Sequence, residues 1–202
     1  PRLQSPSSIL TFKQCPRKYF YRYIAKLPSK PSIHLVRGSV AHKVLEDFYN
    51  TDLSQVPDES FPVTVKVLLH ELFEQEWADA DFSKLDLTDE DIQGFYEETK
   101  VMINNFYHYL LDMLHEQDGL AYGAALNLVR PQTEMELHSK EHHVRGFADA
   151  IHKHGGKTYI LDYKTSSRAK ITPEYELQLS IYGMIFSELV HVPDEVGMFF
   201  LK

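Results

Sequence analysis

Two aspartates and a nearby lysine are the residues best suited to chemistry in this sequence. Asp149 lies in one β-rich run, residues 144–152, and Asp162 lies in the next, residues 158–165. The pair Gly155-Gly156 separates the runs and is typical of a tight hairpin turn. An antiparallel register about that turn puts the two carboxylates opposite or nearly opposite each other, where like charges are destabilising. A divalent cation would offset this repulsion, because hard cations bind carboxylate oxygens.

Lys164 follows Asp162 at a spacing of two, so both side chains are predicted on one face of the second strand. An ammonium group there would orient or deprotonate an attacking water, or stabilise charge on a phosphate. Asp149, Asp162 and Lys164 are therefore the candidate catalytic residues. A second interpretation is an Asp–Lys salt bridge on an exposed strand face, with Asp149 as a surface residue near the turn.

Other elements must bring further ligands to these three side chains. A helix over residues 39–50, capped by Ser39, carries His42 and Glu46 on one face. A helical histidine is usually structural, but neutral imidazole is also a good ligand for divalent metals. His42 is therefore a candidate ligand, and Glu46 is an additional acidic candidate.

A strand over residues 131–138 leads into the hairpin and carries two glutamates. Glu134 or Glu136 would add a third carboxylate to the site. The strand period puts both on the same face, so spacing does not choose between them. A last strand, residues 196–201, is predicted to close the sheet.

A polar loop and a helix follow the hairpin. The loop contains Arg168 and Lys170, and the helix spans residues 174–190 with Gln178 and Tyr182 on one face. These two side chains would hydrogen-bond a phosphate, a base or the lysine. The alternative is that they form the polar flank of an ordinary helix.

The most basic segment is residues 17–24, where Arg17 and other cations alternate with four aromatic residues. It is either a surface that contacts a nucleic-acid backbone and stacks bases, or an amphipathic helix with its aromatic side chains in the core. Residues 51–126 contain two or three helical patterns, including 63–77 and 89–115. They are interpreted as a helical insertion or lid within a single domain, residues 1–202.

The composition limits the class of protein. The chain has 202 residues, a net charge of −8 and one cysteine, Cys15. No apolar run reaches the roughly 18 residues of a membrane span, and no signal peptide is visible. One cysteine excludes an internal disulfide and favours a reducing, cytoplasmic setting. The negative charge argues against a general nucleic-acid coat protein, but a DNA enzyme needs only local basic patches.

Taken together, these motifs resemble the PD-(D/E)xK nuclease superfamily, and specifically its RecB-like branch. The branch pattern is G-x-x-x-H on a helix, G-x-x-D on a strand, D-x-K on the next strand and Q-x-x-x-Y on a helix. The sequence has these motifs in that order, as Gly38…His42, Gly146…Asp149, Asp162-Tyr163-Lys164 and Gln178…Tyr182. The opening residues 15–20, CPRKYF, also look like the family's N-terminal start. The likeness spans nearly the whole chain except residues 51–126.

The resemblance implies an α/β fold with a restriction-endonuclease-like core, a small mixed β-sheet flanked by helices. It implies that His42, Asp149 and Asp162 hold Mg²⁺ or Mn²⁺ together with the main-chain carbonyl of Tyr163. Some family members also hold an iron–sulfur cluster on four cysteines. Cys15 matches only the first of them, so this chain cannot hold that cluster alone.

The same resemblance assigns roles to the remaining motif residues. Lys164 would position or activate the attacking water, while Gln178 and Tyr182 would support Lys164 and contact DNA. Glu134 matches the extra acidic strand residue of the branch. Arg168, Lys170 and Arg17 would guide the DNA strand.

The predicted function is Mg²⁺- or Mn²⁺-dependent hydrolysis of DNA phosphodiesters in repair or recombination. The enzyme would be an exonuclease acting on single strands or ends, with a helicase or other repair protein as a partner and no membrane. One alternative is a catalytically inactive DNA-binding or scaffold module of a helicase-nuclease or CRISPR-adaptation complex. Another is a metal-dependent hydrolase of RNA or nucleotides.

Overall fold

The structure is a computed structural model and describes residues 2–166 and 169–202 of the chain. The chain forms two compact units. The sheet unit comprises Pro1–Lys30, Gln132–Asp162 and Lys170–Met198. The helical unit comprises Pro31–Pro131, Tyr163–Ala169 and Phe199–Lys202.

A four-stranded mixed sheet organises the sheet unit. Its strands lie in the order β1 (Gln132–Ser139), β2 (Val144–His154), β3 (Lys157–Lys164) and β4 (Glu195–Phe200). The pairs β1–β2 and β2–β3 are antiparallel. The N–H of Asp194 donates to the carbonyl of Thr158, and the N–H of Leu201 donates to that of Lys164. From the first of these bonds to the second, the residue numbers increase on both strands, so β4 runs parallel to β3. The predicted α/β fold with a mixed sheet is confirmed.

The predicted hairpin between β2 and β3 is also confirmed. Its two turn residues, Gly155 and Gly156, have φ of +59° and +76°. Positive φ at both central positions is the signature of a type I′ turn, which glycine adopts without steric cost. The turn sets a register in which Ala150 pairs with Leu161. A change of one residue in this register would move every side chain to the opposite face.

One long helix packs on the sheet and forms the core of this unit. Helix α7 spans Pro173–Leu189, and its N-cap Thr172 accepts a hydrogen bond from the N–H of Tyr175. Apolar residues of the helix and of the sheet form one buried cluster between them: Leu137, Val144, Ala148, Ile151, Ile160, Ile181, Ile185 and Phe186. Burial of each large side chain contributes about 1.5–3 kcal/mol, so this contact fixes α7 and the polar residues it carries.

The N-terminal segment of the sheet unit consists of two short helices, α1 (Pro6–Gln14) and α2 (Pro16–Tyr19), and a π-helical turn, Phe20–Ile24. None of the residues in α2 or the π-helical turn is buried. Phe20 and Tyr21 are 51% and 40% exposed. The interpretation that placed these aromatic side chains in the core is therefore wrong. They pack on one another and on neighbouring guanidinium groups instead.

The described residues of the helical unit form four helices: α3 (Ile33–Asn50), α4 (Phe61–Asp79), α5 (Asp89–His115) and α6 (Tyr122–Val129). The predicted start of α3 at Ser39 is wrong. The N–H of Leu35 already donates to the carbonyl of Ser32, so the helix begins six residues earlier. Within residues 2–166 and 169–202, no helix is both long and apolar enough to cross a membrane.

Candidate active site

Three carboxylates lie in one row across β1, β2 and β3. Strands β1 and β2 pair in the same register just before and just after Glu134 and Asp149. These two residues therefore lie across from each other. The β2–β3 ladder ends one residue before Asp149 and Asp162, and continuing it places this pair across from each other as well. Carboxylate oxygens of Glu134 and Asp149 lie within 4.8 Å of each other. Asp149 and Asp162 are only 9% and 2% exposed.

The backbone at Glu134 departs from a regular strand. Its φ is +48°, in the left-handed region that non-glycine residues rarely adopt. Such a conformation costs on the order of 1–3 kcal/mol and concentrates at functional sites. Glu136, two residues on, is exposed and lies 3.9 Å from Arg145. The sequence pattern did not choose between these two glutamates. In the structure, Glu134 belongs to the carboxylate row and Glu136 does not.

Helix α7 supplies a hydrogen bond to one carboxylate of the row, that of Asp162. The amide nitrogen of Gln178 donates to Oδ1 of Asp162 at 2.7 Å and to the hydroxyl oxygen of Tyr182 at 2.9 Å. Burial raises the pKa of Tyr182, and the nearby charge of Asp162 raises it further. Tyr182 is therefore a neutral phenol at physiological pH. One side-chain amide fixes both the buried carboxylate and this phenol.

A glycine on β2 makes room for that arrangement. A Cβ added at Gly146 would lie 2.5 Å from Cε1 of Tyr182, closer than any real Cβ contact. The ring of Tyr182 therefore packs directly on the backbone of β2, three residues before Asp149. This close approach explains why the motif needs a glycine at the first position of G-x-x-D.

The chemistry of this donor set suits Mg²⁺ or Mn²⁺. Both ions prefer oxygen ligands, and the row supplies carboxylate oxygens from three strands. Charged carboxylates are costly to bury side by side without a compensating cation. The residues of the sheet unit therefore fit a divalent metal.

The helical unit holds the other predicted ligands. His42 lies half-buried on α3, with its ring edge-on to Tyr163 at a centroid distance of 6.2 Å. Tyr163 is buried, and Lys164 is half-buried at the end of β3. Glu46 accepts a hydrogen bond from the ammonium of Lys43 at 3.2 Å. The carbonyl of Tyr163 as a metal ligand stays a prediction.

Arg37 is a residue that the sequence analysis missed. Its side chain on α3 is 6% exposed. One guanidinium nitrogen donates to Glu98 on α5 at 2.8 Å, and the other donates to the carbonyl of Thr165 at 3.0 Å. Glu98 also accepts from Lys202 at 2.8 Å. Arg37 therefore fixes the backbone directly after Lys164.

The family model of the PD-(D/E)XK nuclease superfamily matches residues 4–202. This chain belongs to that superfamily. No match was found among curated proteins.

Membership of the PD-(D/E)XK superfamily accounts for the α/β core, and the mixed sheet flanked by helices is consistent with its restriction-endonuclease-like fold. Nucleases of this superfamily use divalent metals, which agrees with the carboxylate row. Among the predicted DNA contacts, Tyr182 is buried and Gln178 is half-buried, whereas Arg17 and Lys170 are exposed. Arg17 on α2 donates to the hydroxyl of Tyr21, and Lys170 lies exposed before α7. Arg168 lies outside the described residues.

The carboxylate row predicts different effects for the two glutamates of β1. Glu134→Gln removes one charged oxygen donor, so we expect the affinity for Mn²⁺ to fall by about 10–100-fold or more. Glu136→Gln changes only an exposed residue and should leave the affinity unchanged. Isothermal titration calorimetry with Mn²⁺ measures both. Equal affinities for the two variants would show that Glu134 is not a ligand.

The contact of Gly146 with Tyr182 predicts a packing defect. Gly146→Ala forces the tyrosine ring away from β2, and we expect the free energy of unfolding to fall by about 1–3 kcal/mol. Gly183→Ala is the matched control, because its Cβ would meet only Val196 Cγ1, at 3.5 Å. That control should be neutral or slightly stabilising within a helix. Urea unfolding of both variants checks this, and equal stability would contradict the close packing.

Proposed function

We propose that this protein is a Mg²⁺- or Mn²⁺-dependent deoxyribonuclease, a RecB-like exonuclease that acts on single-stranded DNA or DNA ends. The observation that carries the proposal is the row of Glu134, Asp149 and Asp162, in which both aspartates are buried and Asp162 accepts a hydrogen bond from Gln178.

The residues proposed to hold the metal are His42, Glu134, Asp149, Asp162 and the main-chain carbonyl of Tyr163. The two buried aspartates supply charge, and His42 follows from the G-x-x-x-H motif. When bound, a divalent cation polarises the phosphodiester, lowers the pKa of a water and stabilises the leaving oxygen. Gln178 orients Asp162 by donating to its Oδ1.

Lys164 is proposed to act on the attacking water and the phosphate. Its ammonium lies two residues after Asp162 on the same strand, a spacing that directs both side chains to one face. A positioned ammonium orients a water and stabilises the negative charge that develops on the phosphate oxygens. Arg37 and the N–H of Leu201 bind the carbonyls of Thr165 and Lys164, which fixes the backbone that carries this side chain.

The DNA strand is proposed to follow the N-terminal segment and the loop before α7. Arg17, Lys170 and, from the sequence, Arg168 would contact phosphates. Phe20 and Tyr21 are exposed and offer aromatic faces, and stacking on such a face contributes about 1–3 kcal/mol per base. Unpaired bases are needed for stacking, which favours single strands or frayed ends. The biological setting proposed is repair or recombination, with a helicase or other repair protein as partner.

A cleavage assay with Mn²⁺ tests this function. The substrates are end-labelled single-stranded DNA, double-stranded DNA and RNA of the same sequence. We expect metal-dependent loss of nucleotides from single-stranded DNA and none in EDTA. Cleavage of RNA alone would favour the ribonucleotide hydrolase, and binding without cleavage of any substrate would favour the inactive scaffold.

A further inference from the structure

A groove between α4 and α5 lies within the helical unit and has no role in the proposed nuclease chemistry. It encloses a cavity of about 310 Å³. Its lining is almost entirely apolar and includes Leu69, Phe73 and Ile103. The helices are antiparallel, because the ring of Phe73 packs on Tyr96 near one end while Lys66 approaches Tyr107 near the other.

Two lysines flank the groove, one from each helix. The ammonium of Lys66 lies 5.7 Å from the ring centroid of Tyr107, and that of Lys100 lies 5.7 Å from the ring centroid of Tyr96. Among the residues the structure describes, neither lysine forms an ion pair with a carboxylate. The carboxylate of Glu74 is already bound by His70 and the hydroxyl of Tyr96. The groove therefore offers two positive charges in a chain whose net charge is −8.

The apolar surface extends beyond the cavity along α4. Val63 and Val67 are 65% and 49% exposed. With Lys66 and His70 they occupy one strip of the helix, because residues three and four apart are neighbours on a helix surface. A small amphiphile would fill the cavity and leave this strip in water. An elongated partner covers both, since helices commonly bind in grooves of this kind through regularly spaced apolar residues.

We propose that this groove binds an acidic amphipathic helix of a partner protein. Apolar side chains of the partner enter the cavity, and its carboxylates pair with Lys66 and Lys100. The apolar lining of the groove and its two ammonium groups are complementary to a helix with leucines on one face and glutamates on the adjacent face. The groove would thereby join the nuclease to another protein without using any residue of the carboxylate row.

Fluorescence anisotropy with a labelled peptide tests the proposal. The probe is a helical peptide of about 16 residues with leucines on one face and glutamates on the other, long enough to form a helix on binding. Its control carries lysine in place of every glutamate. We expect saturable binding of the acidic peptide, weakened at least about tenfold in the double variant Lys66→Glu/Lys100→Glu. Lys84→Glu, an exposed lysine outside the groove, should bind like the parent.

The assay contains neither metal nor DNA, so its result is independent of nuclease activity. The proposal is overturned if the parent binds neither peptide, binds both equally, or loses no affinity in the double variant. It is also overturned if a single-stranded oligonucleotide or decanoate saturates the groove and the acidic peptide does not. Should the double variant unfold, Val67→Asp replaces it, since a carboxylate on the exposed strip repels the same probe and should weaken binding at least about tenfold.

Discussion

Replacing Lys164 with alanine is expected to lower the rate of DNA cleavage by about 10²–10⁴-fold while leaving the fold intact. The loss is large because a positioned ammonium acts in the transition state, where charge develops on the phosphate. The fold should survive because β3 is held there through the main chain. The carbonyl of Lys164 accepts from Leu201, whose own carbonyl accepts from Asn105 on α5. Truncation of the side chain removes neither bond.

The measurement compares initial rates on single-stranded DNA at saturating Mn²⁺ with the thermal midpoint of each protein. Lys157→Ala is the matched control, because Lys157 is an exposed lysine at the other end of β3. It should cut like the parent. If Lys164→Ala also cuts like the parent, Lys164 has no part in the chemistry, and the metal alone must organise the water.

Asp149→Asn is expected to reduce the stabilisation of the protein by Mn²⁺ without lowering its stability in the absence of metal. In the parent, Mn²⁺ at 100 times its dissociation constant should add about 2.7 kcal/mol to the free energy of unfolding. For a chain of this size, that raises the thermal midpoint by about 5–11 °C. The variant should lose most of this gain, because one charged ligand is absent. Without metal, it should be at least as stable as the parent, since one of three crowded negative charges is removed.

Thermal unfolding with EDTA and with increasing Mn²⁺ measures both effects on the same samples. Asp118→Asn, at an exposed position outside the carboxylate row, controls for the loss of one charge from the chain. A variant at Asp149 that keeps the full shift with metal would exclude this residue as a ligand. A variant that is strongly destabilised in EDTA would instead assign the carboxylate a structural role.

The hairpin and several helices were predictable because local rules determine them. Gly155-Gly156 can form the tight turn, and the turn then sets the register that brings Asp149 and Asp162 together. Helix α5 was predicted with the observed bounds, 89–115, and its start is marked by a capping box between Thr88 and Asp91. Here the residues that determine the structure are close together in the sequence.

Two features of the site could not be predicted, because they depend on distant or irregular contacts. The choice of Glu134 over Glu136 rests on a left-handed backbone at Glu134, and the strand period assumes a regular conformation at that point. Arg37 binds partners 61 and 128 residues away, so no local spacing marks it. The start of α3 could not be predicted either, because Ser39 has the residue type of a cap but lies inside the helix.

The packing of Tyr182 on Gly146 has an evolutionary consequence. The glycine, the aromatic ring and the amide of Gln178 form one unit, so each limits what the others can become. Across homologous sequences these three positions should vary together, and a relative with a side chain at the glycine position should also have lost the large ring. Such joint substitution would mark lineages that orient the second aspartate by a different route.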